Sequence, residues 1–255
     1  MPGDNIVKHP NKSHIITFTE SDHSYIDNYG KKYMSVTTIV GNAFPKFETD
    51  KIAEQCAKKR GVKKEDLIKE WVQKGKEATR LGTRLHENME YYIHKNFDLM
   101  HTPENLIEKI KFDGAIKILD NIVLKYKPKL LEPEKLVFSP TFGIAGSIDL
   151  LVKIDEFNYI IFDWKCLSKD IEKESYMGKT GHILPTLNIL DCNFWHYALQ
   201  LQIYENILKS EDYISINANV KKCLIVWNGE KFKIEKIPYV PEAWALMLWR
   251  QKMIQ

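Results

Sequence analysis

The stretch NYIIFDWKC (158–166) constrains this chain more than any other. It is apolar or aromatic from Tyr159 to Phe162 and again at Trp164, the composition of a strand buried in a sheet. Yet it finishes with Asp163 and Lys165. Residues two apart on a strand share a face, so this acid and base point together while Trp164 points into the opposite layer. The run before it, IAGSIDLLVKI (144–154), carries Asp149, and KLLEPEKLVFS (129–139) precedes that. With only PTFG and DEF between them, the three segments form an antiparallel meander. Asp149 and Asp163 are 14 residues apart, a separation over which a hairpin brings both to one place. Two carboxylates and an amine at the ends of paired strands suit a hard divalent cation held through oxygen. The amine can offset developing negative charge, or orient and deprotonate an attacking water. By itself an Asp-x-Lys strand end is as well explained by a solvated ion pair, so the context has to decide.

That context is helical before the meander and mixed after it. HIITFT (14–19) and KKYMSV (31–36) read as strands joined by the turn DNYG (27–30). DKIAEQCAKKRG and KEDLIKEWVQKGKEATRLGTRLHENMEYYIHK have apolar residues at helical spacing, with Gly61 and Gly82 as expected breaks. PENLIEKIKFDGAIKILDNIVLKY (103–126) is a further helix with Pro103 in its first turn. Beyond the meander lies an amphipathic helix, DCNFWHYALQLQIYENILKS (191–210), with Asp191 or Asn193 placed to cap it. A hairpin, VKKCLIVWNGEKFKIEKI, and a closing helix, PEAWALMLWRQKMIQ, complete the chain. The expectation is one α/β domain over 1–255: a flexible arm at 1–13, a hairpin and helical region at 14–126, and a catalytic core at 127–255.

Composition excludes several classes. With 44% hydrophobic and 28% charged residues the chain can bury a core and is not disordered. No apolar run approaches the roughly 20 residues of a membrane helix, and the polar start MPGDNIVKHPNKSH lacks the apolar centre of a signal peptide. A cytoplasmic protein is expected, and a viral or phage protein acting in a host cell fits equally. The net charge of +3 permits nucleic-acid binding without arguing for it. Cys56, Cys166, Cys192 and Cys223 form no C-x-x-C pair, so they are expected to be free thiols, and no zinc or iron–sulfur cofactor is anticipated. No G-x-x-x-x-G-K-[ST] nucleotide loop occurs either.

With these elements in order, AGSIDLLV…YIIFDWKC resembles the core of the PD-(D/E)XK nuclease superfamily, in its RecB-like exonuclease branch, similar to phage and viral exonucleases and the mitochondrial genome maintenance exonuclease. The resemblance covers roughly His86 to Tyr204. It implies a restriction-endonuclease-like core: a mixed central sheet flanked by helices, elaborated here by an N-terminal hairpin and extra helices. Asp149 matches the first acid of that family, and Asp163 and Lys165 match its (D/E)-x-K element. Gly146, just before the acid, would permit close backbone approach. His86 in GTRLHENME, with Glu90 on the same helix face, corresponds to an upstream metal ligand. Of Glu132 and Glu134 in EPEKLVFS, Glu134 is favoured as a ligand. Gln200 and Tyr204 match a Gln-x-x-x-Tyr pair on the helix after the lysine strand, implied to orient Lys165 or a phosphate and to support the site. The backbone carbonyl of Trp164 is implied to complete the metal sphere.

The implied activity is hydrolysis of DNA phosphodiesters with one or two Mg²⁺ or Mn²⁺ ions, in replication, recombination or repair, with a preference for single-stranded DNA ends and a monomer favoured. Arg84, Tyr176, Lys179 and Trp195 are candidate DNA contacts, with Phe194 a further aromatic for stacking and lysines of KKRGVKK and SKDIEKESYMGKTGH for the phosphate backbone. Alternatives from the same residues are a structure-specific endonuclease, an RNA-cleaving relative, or a non-catalytic nucleic-acid-binding module. The intact Asp149, Asp163 and Lys165 weigh against the last.

Overall fold

The chain enters its sheet from one side and closes it from the other. In the computed structural model, which describes residues 5–254, strands β1 (Asn5–Lys8), β2 (Ile15–Thr19), β3 (Ser24–Asp27) and β4 (Lys32–Ser35) pair antiparallel in sequence. The expected hairpin is therefore a four-stranded ladder: the short strand SYID intervenes, and β2 pairs with β3, not β4. Of the arm expected at 1–13, residues 1–4 lie outside the described residues. The rest is held in place, because β1 pairs with β2 and His9 is buried with its Nε2 3.1 Å from Glu211.

Helices follow. SVTTIVG gives α1 (Val36–Gly41), capped by the Ser35 hydroxyl, which accepts from Thr38 N. Then come α2 (Thr49–Arg60), α3 (Lys64–Ile93) and α4 (Leu106–Tyr126). Gly61 ends α2 in the left-handed conformation that glycine adopts without penalty (φ 67°). Gly82 does not break α3, which runs straight through it; an interior glycine costs about 1 kcal/mol, and Leu85 and Met89, about one and two turns on, are buried. Pro103 lies ahead of α4, whose cap is Asn105, its side chain accepting from Glu108 N at 2.9 Å.

The meander matches its sequence: β5 (Leu130–Ser139), β6 (Ile144–Lys153) and β7 (Asn158–Cys166) pair antiparallel. Helix α5 (Asn193–Ser210) carries the chain over to β8 (Asn219–Trp227), which lies parallel to β7, and β9 (Phe232–Lys236) and α6 (Glu242–Lys252) follow. Neither Asp191 nor Asn193 caps α5; Cys192 holds that position without a side-chain bond. The order is β1-β2-β3-β4-β6-β7-β8-β9, with β5 on the other edge of β6. The result is a mixed central sheet flanked by helices.

One core lies between the sheet and α1, α5 and α6, around Ile148, Ile161, Leu199 and Leu246; a second lies under α3 and α4, around Leu85, Phe112, Leu150 and Trp164. Each such side chain contributes about 1.5–3 kcal/mol on burial. No helix of the described residues is long and apolar enough to cross a membrane.

Candidate active site

The site grows from a fork in this sheet. Strand β4 pairs with the start of β6 at Ile144 and Ala145, whereas β7 pairs with its end, from Leu150 to Lys153. With β5 along the opposite edge, residues 146–149 of β6 face a gap, and β7 runs on past its last pair, Leu150–Phe162, to deliver Asp163, Trp164 and Lys165 beside it. The backbone bends to match. Ile148 packs in the α5-side core and Leu150 in the α4-side core, so the two-residue alternation breaks at Asp149. Directly across, Glu134 has φ 45°, a left-handed conformation rare for a residue with a side chain. Such strain costs on the order of 1–3 kcal/mol and collects at functional sites.

Into this gap come three possible cation ligands from three elements. His86 of α3, Glu134 of β5 and Asp149 of β6 each offer a donor atom, all within 4.8 Å of one another. His86 Nδ1 is 3.3 Å from Glu134 Oε1 and 3.6 Å from Asp149 Oδ2. Ser147 Oγ donates to Glu134 Oε2 at 2.9 Å, and Trp164 N donates to Asp149 Oδ2 at 2.7 Å. Thus Trp164 presents its N–H to this carboxylate, while its side chain packs in the α4-side core as expected. Glu132 is held by Lys135 at 2.5 Å, which leaves Glu134 as the glutamate of this strand at the site. Glu90 is half-buried beside the cluster and outside the ligand group.

Asp163 and Lys165 do share a face, toward α5. Lys165 Nζ is 2.5 Å from Asp163 Oδ2, a buried ion pair. Gln200 Nε2 reaches Asp163 Oδ1 and the Tyr204 hydroxyl, each at 3.5 Å, the limit of a weak hydrogen bond. The Tyr204 ring explains Gly146: a Cβ there would sit 2.9 Å from the ring edge and hydroxyl. The close approach at Gly146 is that of an aromatic side chain.

The electrostatics mark a site short of positive charge. Burial, then Asp149, push the Asp163 carboxyl up to about 6. Burial also raises Asp149, against the pull of His86 and Lys165. For His86, burial would lower the pKa, but Asp149 and Glu134 outweigh it and carry it up to about 9. For Lys165, burial is likewise outweighed by Asp163 and Asp149, so the ammonium is held above its ordinary range. Acids that resist ionising, together with a set of one imidazole and carboxylates, fit a divalent cation. His86, Glu134 and Asp149 can hold one, with Asp163 adjoining.

Other expected residues fall elsewhere. Arg84 is occupied within the protein: Nε donates to Glu108 Oε1 at 2.7 Å and Nη2 to the Thr102 carbonyl at 2.8 Å, tying α3 to α4. Phe194 is buried, not exposed, and Trp195 is half-buried edge-on against it. Tyr176 is 76% exposed, with Lys179 Nζ 5.9 Å from its ring centre. Several lysines of the two basic stretches carry acidic partners, among them Lys58 with Glu54, Lys64 with Asp50 and Lys173 with Glu235. Sequence reasoning missed Tyr197, whose ring centre lies 4.9 Å from Lys165 Nζ. Its place one turn before Gln200 was the available signal.

No protein-family model matches the chain, and no curated protein matches it. Among solved structures, a protein from Eubacterium rectale provisionally described as an exonuclease is similar at 14% identity and a TM-score of 0.40, over 69% of this chain and 65% of that one, so the match spans just under two thirds of that neighbour. A second structure, whose designation states no activity, is similar at 15% identity and a TM-score of 0.31, over 74% of this chain and 87% of its own.

Proposed function

We propose that this chain is a metal-dependent nuclease of the PD-(D/E)XK superfamily, in its RecB-like exonuclease branch. The reading is that it hydrolyses DNA phosphodiester bonds with Mg²⁺ or Mn²⁺ and prefers single-stranded ends. The observation that carries it is the meeting of His86, Glu134 and Asp149 within 4.8 Å, beside an Asp163–Lys165 pair on the next strand. A bound divalent cation would supply Lewis-acid activation of the attacking water and offset charge on the departing oxygen.

The chain's own residues do the rest. His86, Glu134 and Asp149 would hold the cation, with Ser147 and the Trp164 N–H orienting two of the carboxylates. Lys165, cationic beside Asp163, offsets charge that grows on the phosphate as water adds to phosphorus and the bridging P–O bond breaks. Gln200 and Tyr204 position Asp163. The preference for free ends draws on the exposed Tyr176 as a base-stacking platform and on the helices α2 and α3 ahead of the core.

The test is cleavage of DNA labelled at either end, single- and double-stranded, with Mn²⁺, Mg²⁺ or EDTA. Wild type should cut only with metal, Lys165→Ala should not cut, and the product ladder should shorten from one end. Wild type that binds DNA but leaves every substrate intact with both metals would overturn the enzyme reading in favour of a binding module.

A further inference from the structure

A second charged site lies at the far end of the same strands. A cavity of about 690 Å³ opens where β9 leaves β8. Pairing between these strands stops at Cys223–Lys236, so the outer edge of Asn219–Lys221 has no strand beside it. Ile160 of β7, opposite Lys221, also lines the cavity. Five residues separate it from Lys165, about 17 Å along a strand. The cavity is therefore distinct from the fork.

Its lining is strongly basic. Lys125 of α4, Lys209 of α5, Lys221 and Lys222 of β8 and Lys236 at the end of β9 converge there with a single carboxylate, Glu205. That carboxylate is already matched: Lys209 donates to it at 2.8 Å, the buried Lys222 pairs with it, and Gln202 Nε2 donates at 3.0 Å. Among the described residues, no carboxylate lies within 4.0 Å of the ammonium groups of Lys125, Lys221 or Lys236. These three exposed cations come from three separate elements, so they are not the polar face of one helix. Like charges gathered around a concavity repel, and an anion that bridges them relieves that repulsion. Two aromatic groups share the lining: Tyr126, whose ring centre is 5.0 Å from Lys125 Nζ, and Tyr239, 72% exposed. Ammonium groups bind phosphate as point charges, and a tyrosine ring offers a face on which a base can stack. The volume lies in the range of roughly 300–1,000 Å³ typical of small-ligand sites.

We propose that this cavity binds a nucleoside phosphate, either a free mononucleotide or the terminal nucleotide of a strand, with Lys125, Lys221 and Lys236 on the phosphate and Tyr239 on the base. The inference does not depend on the nuclease reading, and its test works without metal or cleavage. Wild-type protein in EDTA is acetylated sparingly, and each lysine is followed by mass spectrometry. The additions are dAMP, deoxyadenosine, inorganic phosphate or a 5′-phosphorylated oligonucleotide. Expected is protection of Lys125, Lys221 and Lys236 by dAMP, with deoxyadenosine and inorganic phosphate ineffective at the same concentration and the exposed Lys32 and Lys252 unchanged throughout. Protection by the oligonucleotide at lower concentration than dAMP would identify a strand terminus as the occupant; the reverse would identify a free nucleotide. In a second measurement, Lys221→Glu/Lys236→Glu should weaken the binding of fluorescent dAMP by about tenfold or more. Equal protection by inorganic phosphate, protection confined to Lys165, or unchanged dAMP affinity in the double variant would each overturn the proposal.

Discussion

The protein buries carboxylates in two kinds of place and treats them in opposite ways. Glu211 is enclosed near the N-terminal strands, where Lys12, His9 and Ser139 all bond to it. Burial would raise its pKa, but the bonds from Lys12 and Ser139 outweigh burial and hold it below its usual 4.5. Glu205, between Lys209 and Lys222, is treated alike. At the fork the balance is reversed: burial prevails for Asp149 and Asp163, whose pKa values rise. A carboxylate that serves the fold is satisfied by its own chain. The fork's acids are crowded past what His86 and Lys165 neutralise, which is the condition under which a cation binds.

The sharpest way to break this contrast is to neutralise one acid of each kind. Asp149→Asn should reduce metal-dependent DNA cleavage by about a thousandfold or more with little change in the thermal midpoint of the metal-free protein. Added Mn²⁺ should stabilise wild type by about 2.7 kcal/mol at a hundredfold excess over its Kd, raising the midpoint by roughly 5–10 °C, and should not move the variant. Scanning calorimetry with and without Mn²⁺ checks both. Glu211→Ala should do the opposite. It removes the partner of the buried His9 Nε2 and of the Ser139 hydroxyl proton, so urea unfolding should show a loss of about 3 kcal/mol, while cleavage per folded molecule stays normal.

Acid sharpens the same comparison. A carboxyl whose pKa is lowered on folding binds fewer protons in the native than in the unfolded state, so its contribution is complete above the unfolded value and fades as pH falls through the folded one. For Glu211 the unfolded value is near 4.5. Stability of wild type should therefore decline below about pH 4.5, and Glu211→Gln should flatten that decline in urea midpoints measured from pH 3 to 7. Arg84 is the next test. Arg84→Ala removes the partner of Glu108, which is 3% exposed, and should cost about 2–3 kcal/mol in urea unfolding. DNA affinity measured by anisotropy should not change, because this guanidinium is already bonded to the protein. Smallest is Gly146→Ala, whose new methyl meets the Tyr204 ring. A loss of about 1–2 kcal/mol is expected, with cleavage reduced further than that loss explains, because Tyr204 shifts away from Gln200.

Much of this was legible beforehand because it depends on local pattern. The β-rich runs of 129–139, 144–154 and 158–166 became β5, β6 and β7 with bounds close to those read from sequence. Asp163 and Lys165 share a face for the same reason, and Gln200 and Tyr204 do so because four residues make about one helical turn. Local pattern failed where a short segment had weak signal or a neighbour overrode it. SYID is too brief to stand out as a strand, and the packing of Leu85 and Met89 beyond Gly82 kept α3 whole.

The sequence by itself determined most of the elements, the acids and base at the strand end, and the apolar faces that pack on both sides of the central sheet, since each follows from spacing along a few residues. Only the tertiary structure decided which charges meet. Lys135 holds Glu132 while Glu134 turns to His86, and Arg84 is bonded within the fold. Three lysines from distant segments, without a carboxylate partner among the described residues, surround one cavity. These outcomes depend on where β4 and β7 divide one edge of β6, on a broken alternation at Asp149 and a left-handed turn at Glu134. Coulomb energy depends on distance in space, and residues remote in sequence become neighbours only when the sheet has formed.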